Sequence, residues 1–131
     1  MARIAVTDGM AAAAISMLER EGHEVVLAHY ETEALADGVL SDFDAVVVRS
    51  ATKLTDEVIS ASCGESSGLQ LIGRAGVGVD NIDLSTATNN GVLVCNTPGS
   101  STQSVVELTI GHLLASVRHI PAGTQSLRAG E

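Results

Sequence analysis

The sequence predicts an α/β protein: one five-stranded parallel sheet, strand order 2-1-3-4-5, covered by helices on both faces and followed by a long C-terminal helix. Three observations carry that expectation. Short apolar runs alternate with segments of helical spacing along most of the chain. The run Asp44-Ala45-Val46-Val47-Val48 is apolar without alternation after its first residue, as a strand buried on both faces must be. Strands and helices alternating at this spacing form right-handed crossovers, which leads to a doubly wound sheet of this order.

Each element has its own signal. Arg3-Ile4-Ala5-Val6 reads as the first strand and runs into the turn Thr7-Asp8-Gly9. Met10 to Glu21 carries Met10, Ala14, Met17 and Leu18 at helical spacing, and Gly22 closes it. Glu24 to Ala28 is the second strand, and Glu31 to Ala36 a short helix ending near Gly38. The third strand stops at Arg49-Ser50. Thr55 can cap a helix whose first turn holds Asp56 and Glu57, where negative charge suits the helix dipole. Ser62 to Gly68 reads as a loop of small residues and Leu69 to Ile72 as the fourth strand. A helix over Asp83 to Asn89 stops at Asn90-Gly91, Val92 to Cys95 is the fifth strand, and Asn96 to Ser101 has the composition of a hinge.

The last helical segment, Thr102 to His119, spreads Val105, Val106, Leu108, Ile110, Leu113, Leu114, Ala115 and Val117 around much of its circumference. Such a helix wants neighbours on two sides, and a second domain or another subunit is expected to supply one of them. Pro121 to Glu131 is polar and unpatterned and reads as a tail.

With 131 residues and 45% hydrophobic content, the chain can build one domain with its own core. Sixteen acidic against seven basic residues give a net charge of −9, and Lys53 is the only lysine, which disfavours nucleic acid and anionic membranes as partners. Tyr30 and Phe43 are the only aromatic residues, so there is no platform for stacking bases. No apolar run approaches the roughly 20 residues of a membrane span, and no leader pattern opens the chain, so a cytoplasmic protein with Cys63 and Cys95 as free thiols is expected. No C-x-x-C or His/Cys cluster suggests a metal site.

Chemistry concentrates in Leu71 to Asp83, where three glycines fall within six residues: Gly73, Gly76 and Gly78. Glycines there can adopt backbone angles that other residues resist and let N–H groups converge on an anion, with Arg74 as a forked cation beside them. The same segment is also compatible with a plain tight turn carrying an exposed arginine. It is not the dinucleotide fingerprint, because the spacing from Gly76 runs Gly76, Gly78, Asn81 and lacks the third glycine. In a doubly wound sheet ligands bind beyond the carboxyl ends of the strands. Those ends carry Asp8-Gly9, Arg49-Ser50, Arg74 to Gly78 and Asn96-Thr97, and this convergence favours the anion pocket. The histidines are not expected to be catalytic. His23 and His29 flank the second strand and read as solvated, while His112 and His119 have no carboxylate four residues away. Asp8 could suggest a phospho-acceptor domain, but the third strand would then end in aspartate, and it ends in Arg49.

Four runs occur together in order: Val48-Arg49-Ser50-Ala51-Thr52-Lys53, Ile72 to Asp83, Asn96-Thr97-Pro98, and Ser104-Val105-Val106-Glu107-Leu108. With them the chain resembles the D-isomer-specific 2-hydroxyacid dehydrogenases. The resemblance implies a flavodoxin-like substrate-binding domain over residues 1–99. Residues 100–131 are then the hinge, the interdomain and dimerisation helix, and the start of a nucleotide-binding domain. It implies NAD as the cofactor of the full enzyme, a homodimer, and oxidation of 3-phospho-D-glycerate to 3-phosphohydroxypyruvate in serine biosynthesis. Arg49 and Ser50 would contact substrate, Arg74 would favour its phosphate, and the backbone of Gly76, Val77 and Gly78 would hold its carboxylate. Val77 would also lie against the nicotinamide. Ser101 stands where the family commonly has a substrate-reaching asparagine; serine is shorter, and water is expected to take the place of that contact. The family's G-x-G-x-x-G, its ribose-binding acid and its catalytic arginine, glutamate and histidine have no counterpart in these residues. The chain is therefore expected to be a substrate-side portion, inactive by itself and without tight NAD binding. The alternatives are a standalone, self-associating anion-binding module, or a nucleotide domain supplied by another polypeptide.

Overall fold

In the computed structural model, which describes residues 1–64 and 68–131, the runs of Val, Ile, Ala and Leu form five parallel strands. These are β1 (Arg3–Val6), β2 (Glu24–Leu27), β3 (Ala45–Val48), β4 (Leu71–Arg74) and β5 (Leu93–Asn96), in the order β2-β1-β3-β4-β5 that the sequence predicts. The helices of this part are α1 (Ala12–Arg20), α2 (Thr32–Ala36), α3 (Asp56–Ser62) and α4 (Leu84–Asn89), with a 3-10 turn at Val39–Asp42. The register levels the strand ends: Val6 pairs with Val47, Val48 with Arg74, and Arg74 with Asn96. Loops that leave β1, β3, β4 and β5 therefore start side by side.

The central strands are the buried ones, as their unbroken apolar runs require. Ala5, Val46, Val48 and Ile72 are sealed on one face together with Leu40, Leu54, Ile59 and Ala87 from the helices and loops. Ile4, Val6 and Ala45 are buried as well, and strand alternation places them on the other face. At the N-terminal edge Arg3 ties the sheet together: its N–H donates to Asp44 (2.7 Å), its guanidinium pairs with Glu24 (3.2 Å) and lies over the Phe43 ring.

Several boundaries differ from the sequence expectation for local reasons. β4 starts two residues later than expected and runs on through Gly73 and Arg74, because β3 and β5 offer ladder partners up to Val48 and Asn96. Leu69 is buried, yet its N–H bonds Ser62 O outside the sheet. α1 begins at Ala12, after an extended Ala11 and without a side-chain cap. Thr55 does cap α3, accepting from the Val58 N–H (3.4 Å), and Asp83 caps α4. Of the expected loop at Ser62 to Gly68, Ser62 belongs to α3 and Cys63 bridges to Gly68, while Glu65, Ser66 and Ser67 lie outside the described residues.

The chain divides into two compact units, Met1–Pro98 and Gly99–Glu131. The second consists of α5 (Thr102–Val117) and α6 (Ile120–Ala129). The expected tail is thus a helix. Pro121 sits in its first turn, where no intrahelical N–H is needed, and Gly130 closes it in the left-handed conformation. The polar composition and Gly123 hide this helix from a reading by apolar spacing. Left-handed His119 separates it from α5. α5 and α6 bury no residue, and Leu108 and Leu113 are each more than 60% exposed. Among the described residues, no helix is long and apolar enough to cross a membrane.

Gly38 provides a test of the packing between α2 and α3. It has φ 81°, and a Cβ there would stand 2.6 Å from the Ala61 carbonyl oxygen. Gly22 has nearly the same φ, 85°, but open space around it. Gly22→Ala should cost about 1–2 kcal/mol of stability, the left-handed penalty alone. Gly38→Ala should cost clearly more in the same urea titration. Equal losses would show that α3 moves freely away from residue 38.

Candidate functional site at the carboxyl edge of the sheet

Asp8, just past β1, is the first fixed point. Its Oδ2 accepts the backbone N–H of Arg49 (2.7 Å) and of Thr52 (3.1 Å). Its Oδ1 accepts the Thr52 hydroxyl at 2.5 Å, and that hydroxyl lies 2.8 Å from the hydroxyl of Thr7. From the other side, Asn81 Nδ2 donates to the carbonyls of Arg49 (2.9 Å) and Thr52 (2.7 Å). The amide groups of Arg49 and Thr52 are thus held at both N–H and C=O, and exposed Ser50 and Ala51 form the tip between them. A parallel bridge continues the stitch, with Leu54 N–H on Asn81 O (2.8 Å) and Asp83 N–H on Leu54 O (2.9 Å).

These bonds set the charge state of Asp8. Burial pushes its carboxyl up, but the hydrogen bonds from Thr52, Arg49 and Ala51 prevail and hold it below the ordinary aspartate value. Asp83 is also held low, first by the Ser85 hydroxyl and then by the Thr86 N–H it caps.

The glycine loop leaves β4 as a second anchored segment. Ala75 N–H bonds Val48 O, and Gly76 N–H turns back onto Arg74 O, each at 2.8 Å. The loop's carbonyls face β5: Gly76 O accepts Thr97 N–H (2.9 Å) and Val77 O accepts Asn96 Nδ2 (2.6 Å). The N–H groups of Val77 and Gly78 meet no acceptor among the described residues, and both residues are exposed. The glycines themselves need a correction. None of Gly73, Gly76 and Gly78 takes a left-handed φ, so they are not there for unusual backbone angles. Two of them supply space: a Cβ on Gly76 would fall on the Arg74 guanidinium, and one on Gly78 would stand 2.9 Å from Asp80 Oδ1, whereas one on Gly73 would make only ordinary contacts.

Arg49, Lys53 and Arg74 form no ion pair among the described residues. An open depression of about 400 Å³ is lined by Asp8, Gly9, Met10, Ala11, Arg49 and Ala75. A larger one, about 520 Å³, holds Asp56, Asp80 and Asp83 against Lys53 alone, a poor environment for an anion. Arg49, Ser50, Arg74, Gly76, Val77 and Gly78 therefore share one sheet edge. Ser101 lies in the second unit, exposed, as the N-terminal flank of α5 without a capping side-chain bond. His23 is at the other end of the sheet and partly buried, its Nδ1 accepting the Ala2 N–H (3.3 Å), so it is not simply solvated. No group of three or more His, Cys, Asp or Glu among the described residues could hold a metal ion.

A sequence profile of the catalytic domain of the D-isomer specific 2-hydroxyacid dehydrogenases matches residues 4–129. The chain belongs to that family. It is 46% identical over 131 residues to D-3-phosphoglycerate dehydrogenase of Methanocaldococcus jannaschii, covering all of this chain and 24% of that protein. It is 42% identical over 130 residues to hydroxypyruvate reductase of Thermotoga maritima, covering 98% of this chain and 41% of the relative. Among solved structures, the NAD+-bound 3-phosphoglycerate dehydrogenase of Entamoeba histolytica superposes with a TM-score of 0.70 at 35% identity, over 87% of this chain and 38% of that one. The chain thus spans from 24% to 41% of the length of these proteins.

The clamp makes a pH-dependent prediction. Because the folded carboxyl of Asp8 is held below its unfolded value of about 3.9, its contribution is complete above that pH and lost as pH falls through the folded value. Asp8→Asn keeps one oxygen for the two N–H groups but loses the charge and the oxygen that accepts the Thr52 hydroxyl, and should lose about 1–3 kcal/mol at neutral pH. Its stability should also vary less between pH 4 and 2, roughly, than that of the parent, with Asp83 supplying the remaining slope. Urea titrations across that range measure both; parallel pH profiles would show that the Asp8 charge does not hold the loop.

Proposed function

We propose that this chain supplies the substrate side of an NAD-dependent 2-hydroxyacid dehydrogenase of the phosphoglycerate type. The reaction is oxidation of 3-phospho-D-glycerate to 3-phosphohydroxypyruvate, within serine biosynthesis. The observation that supports this reading is the pair of exposed N–H groups on Val77 and Gly78 that meet no protein acceptor among the described residues, on the same sheet edge as two arginines that form no ion pair among those residues, in a chain of net charge −9. Those amides would take the substrate carboxylate, Arg74 its phosphate, while Arg49 and Ser50 orient it from the neighbouring loop. NAD supplies the hydride acceptor when bound. The residue that would lie against its nicotinamide, Val77, fits that role with an apolar side chain 47% exposed at the loop tip. None of the seven residues assigned to the site, Ser101 included, is a general acid or base for the hydroxyl proton, so the chain alone is expected not to turn over substrate.

Residues 100–131 are proposed as the hinge, the dimerisation helix and the start of the nucleotide-binding domain of a cytoplasmic homodimer. The exposed apolar side chains of α5 support this placement, since they need a covering surface. The same exposure favours a second reading, a self-associating module that binds anions without catalysing. A coding sequence that continues beyond Glu131 into a strand and G-x-G-x-x-G would select the enzyme over the module.

The purified chain with NADH and phosphohydroxypyruvate should show no loss of NADH absorbance. In a ¹⁵N-edited titration with 3-phosphoglycerate, the Val77 and Gly78 amide signals should move, and Arg74→Ala should weaken the titration about tenfold. Unmoved amides would sink the anion-site reading, and steady turnover by pure chain would sink the division of labour.

A further inference from the structure

We propose that Gly76 is a specificity-determining residue. Its missing Cβ seats the Arg74 guanidinium beside the Val77–Gly78 amides, and so selects 2-hydroxy acids that carry a second, phosphate, anion over plain ones. The inference rests on reading the 76–78 loop as the carboxylate site.

The backbone does not require glycine at 76. Seven other glycines among the described residues have positive φ, and Gly76 is not one of them. Space requires it. An ideal Cβ would lie 3.2 Å from Arg74 Nε and would overlap the outer guanidinium atoms. The tight turn, with Gly76 N–H on Arg74 O at 2.8 Å, brings residue 76 back against the side chain two positions earlier.

The loop is poorly placed to make room by retreating. Thr97 N–H holds Gly76 O and Asn96 holds Val77 O, both from the end of β5. A side chain at 76 therefore displaces the flexible end of the arginine, not the loop. The guanidinium has no competing anchor: it makes no ion pair among the described residues, and its Nε is sealed without a protein acceptor. Packing on the glycine is what fixes its direction, and its charge stays available to a ligand anion. The amides that would take the carboxylate belong to Val77 and Gly78 and are untouched by the exchange. The consequence is selective: the phosphate contact goes while the carboxylate contact stays.

The test uses the whole 131-residue chain as parent, Gly76→Ala, Arg74→Ala and the double variant, each titrated with 3-phosphoglycerate and with D-glycerate by ¹⁵N-edited spectra. Gly76→Ala and Arg74→Ala should each lose about tenfold in affinity for 3-phosphoglycerate, and clearly more for that ligand than for D-glycerate. The double variant should lose no more than either single, since both changes remove one contact. Parent-like 3-phosphoglycerate binding by Gly76→Ala overturns the inference and leaves the carboxylate site standing. If Gly76→Ala loses both ligands, the double variant decides. D-Glycerate binding regained once the arginine is gone supports the seat, and continued loss overturns it. A parent that binds neither ligand overturns the reading of the loop and this inference with it.

Discussion

The geometry of the site depends on one constraint, the two-sided hold on Arg49 and Thr52 by Asp8 and Asn81. A segment that leaves a buried strand with an exposed arginine has little apolar surface to fix it, and ordering each residue costs about 1–2 kcal/mol of backbone entropy. Here the order comes from polar groups. A carboxylate can accept several N–H bonds at once, and a primary amide can donate twice, so two side chains satisfy four backbone groups. The entropy is spent at folding, and a ligand meeting Arg49 and Ser50 finds their backbone already placed. Asp8 comes from the end of β1 and Asn81 from the loop after β4, so three strand ends are joined into one frame.

That frame works because the sheet register delivers the strand ends level with one another. Val48, Arg74 and Asn96 stand in one row across three strands, and the next residues of each chain segment bond sideways: Ala75 to Val48, Thr97 to Gly76, Asn96 to Val77. The buried faces of Val46, Val48 and Ile72 anchor this row from below. The charge pattern follows the same plan. A carboxylate at an anion site would ordinarily repel the ligand, but Asp8 spends its oxygens on two N–H groups and a hydroxyl. Arg49 and Arg74 pair with no carboxylate among the described residues. A chain with excess negative charge thus keeps Arg49, Arg74 and the exposed Val77 and Gly78 amides together on one sheet edge, with Asp80 as the neighbouring carboxylate.

Much of this was legible in the sequence. Apolar runs separated by helical spacing fixed five strands and their order, because a parallel sheet buries its middle strands and leaves an unmistakable pattern at Val46 to Val48. The strand ends named the neighbourhood of the site. What escaped were contacts that carry no periodicity. The sequence places Asp8 at a strand end and Asn81 in the glycine-rich run, but nothing in a linear string says that residues 8, 52 and 81 meet. Helix α6 escaped for another reason: it has few apolar residues, and its stop and start signals, His119, Pro121 and Gly130, read equally well as loop chemistry.

The glycines show how a correct location can come with a wrong cause. Three in six residues suggest unusual φ angles, the property glycine is best known for, yet the left-handed glycines of this chain lie at other turns. Glycine has two distinct properties, freedom of backbone and absence of side chain, and sequence alone does not separate them. At Gly76 the second decides, because the neighbour that needs the room is the side chain of Arg74. The identity of one residue then follows from the job of another, two positions back. A pattern of glycines around an arginine is therefore best understood as one unit, in which the backbone offers amides to an anion and the vacant Cβ position aims the cation.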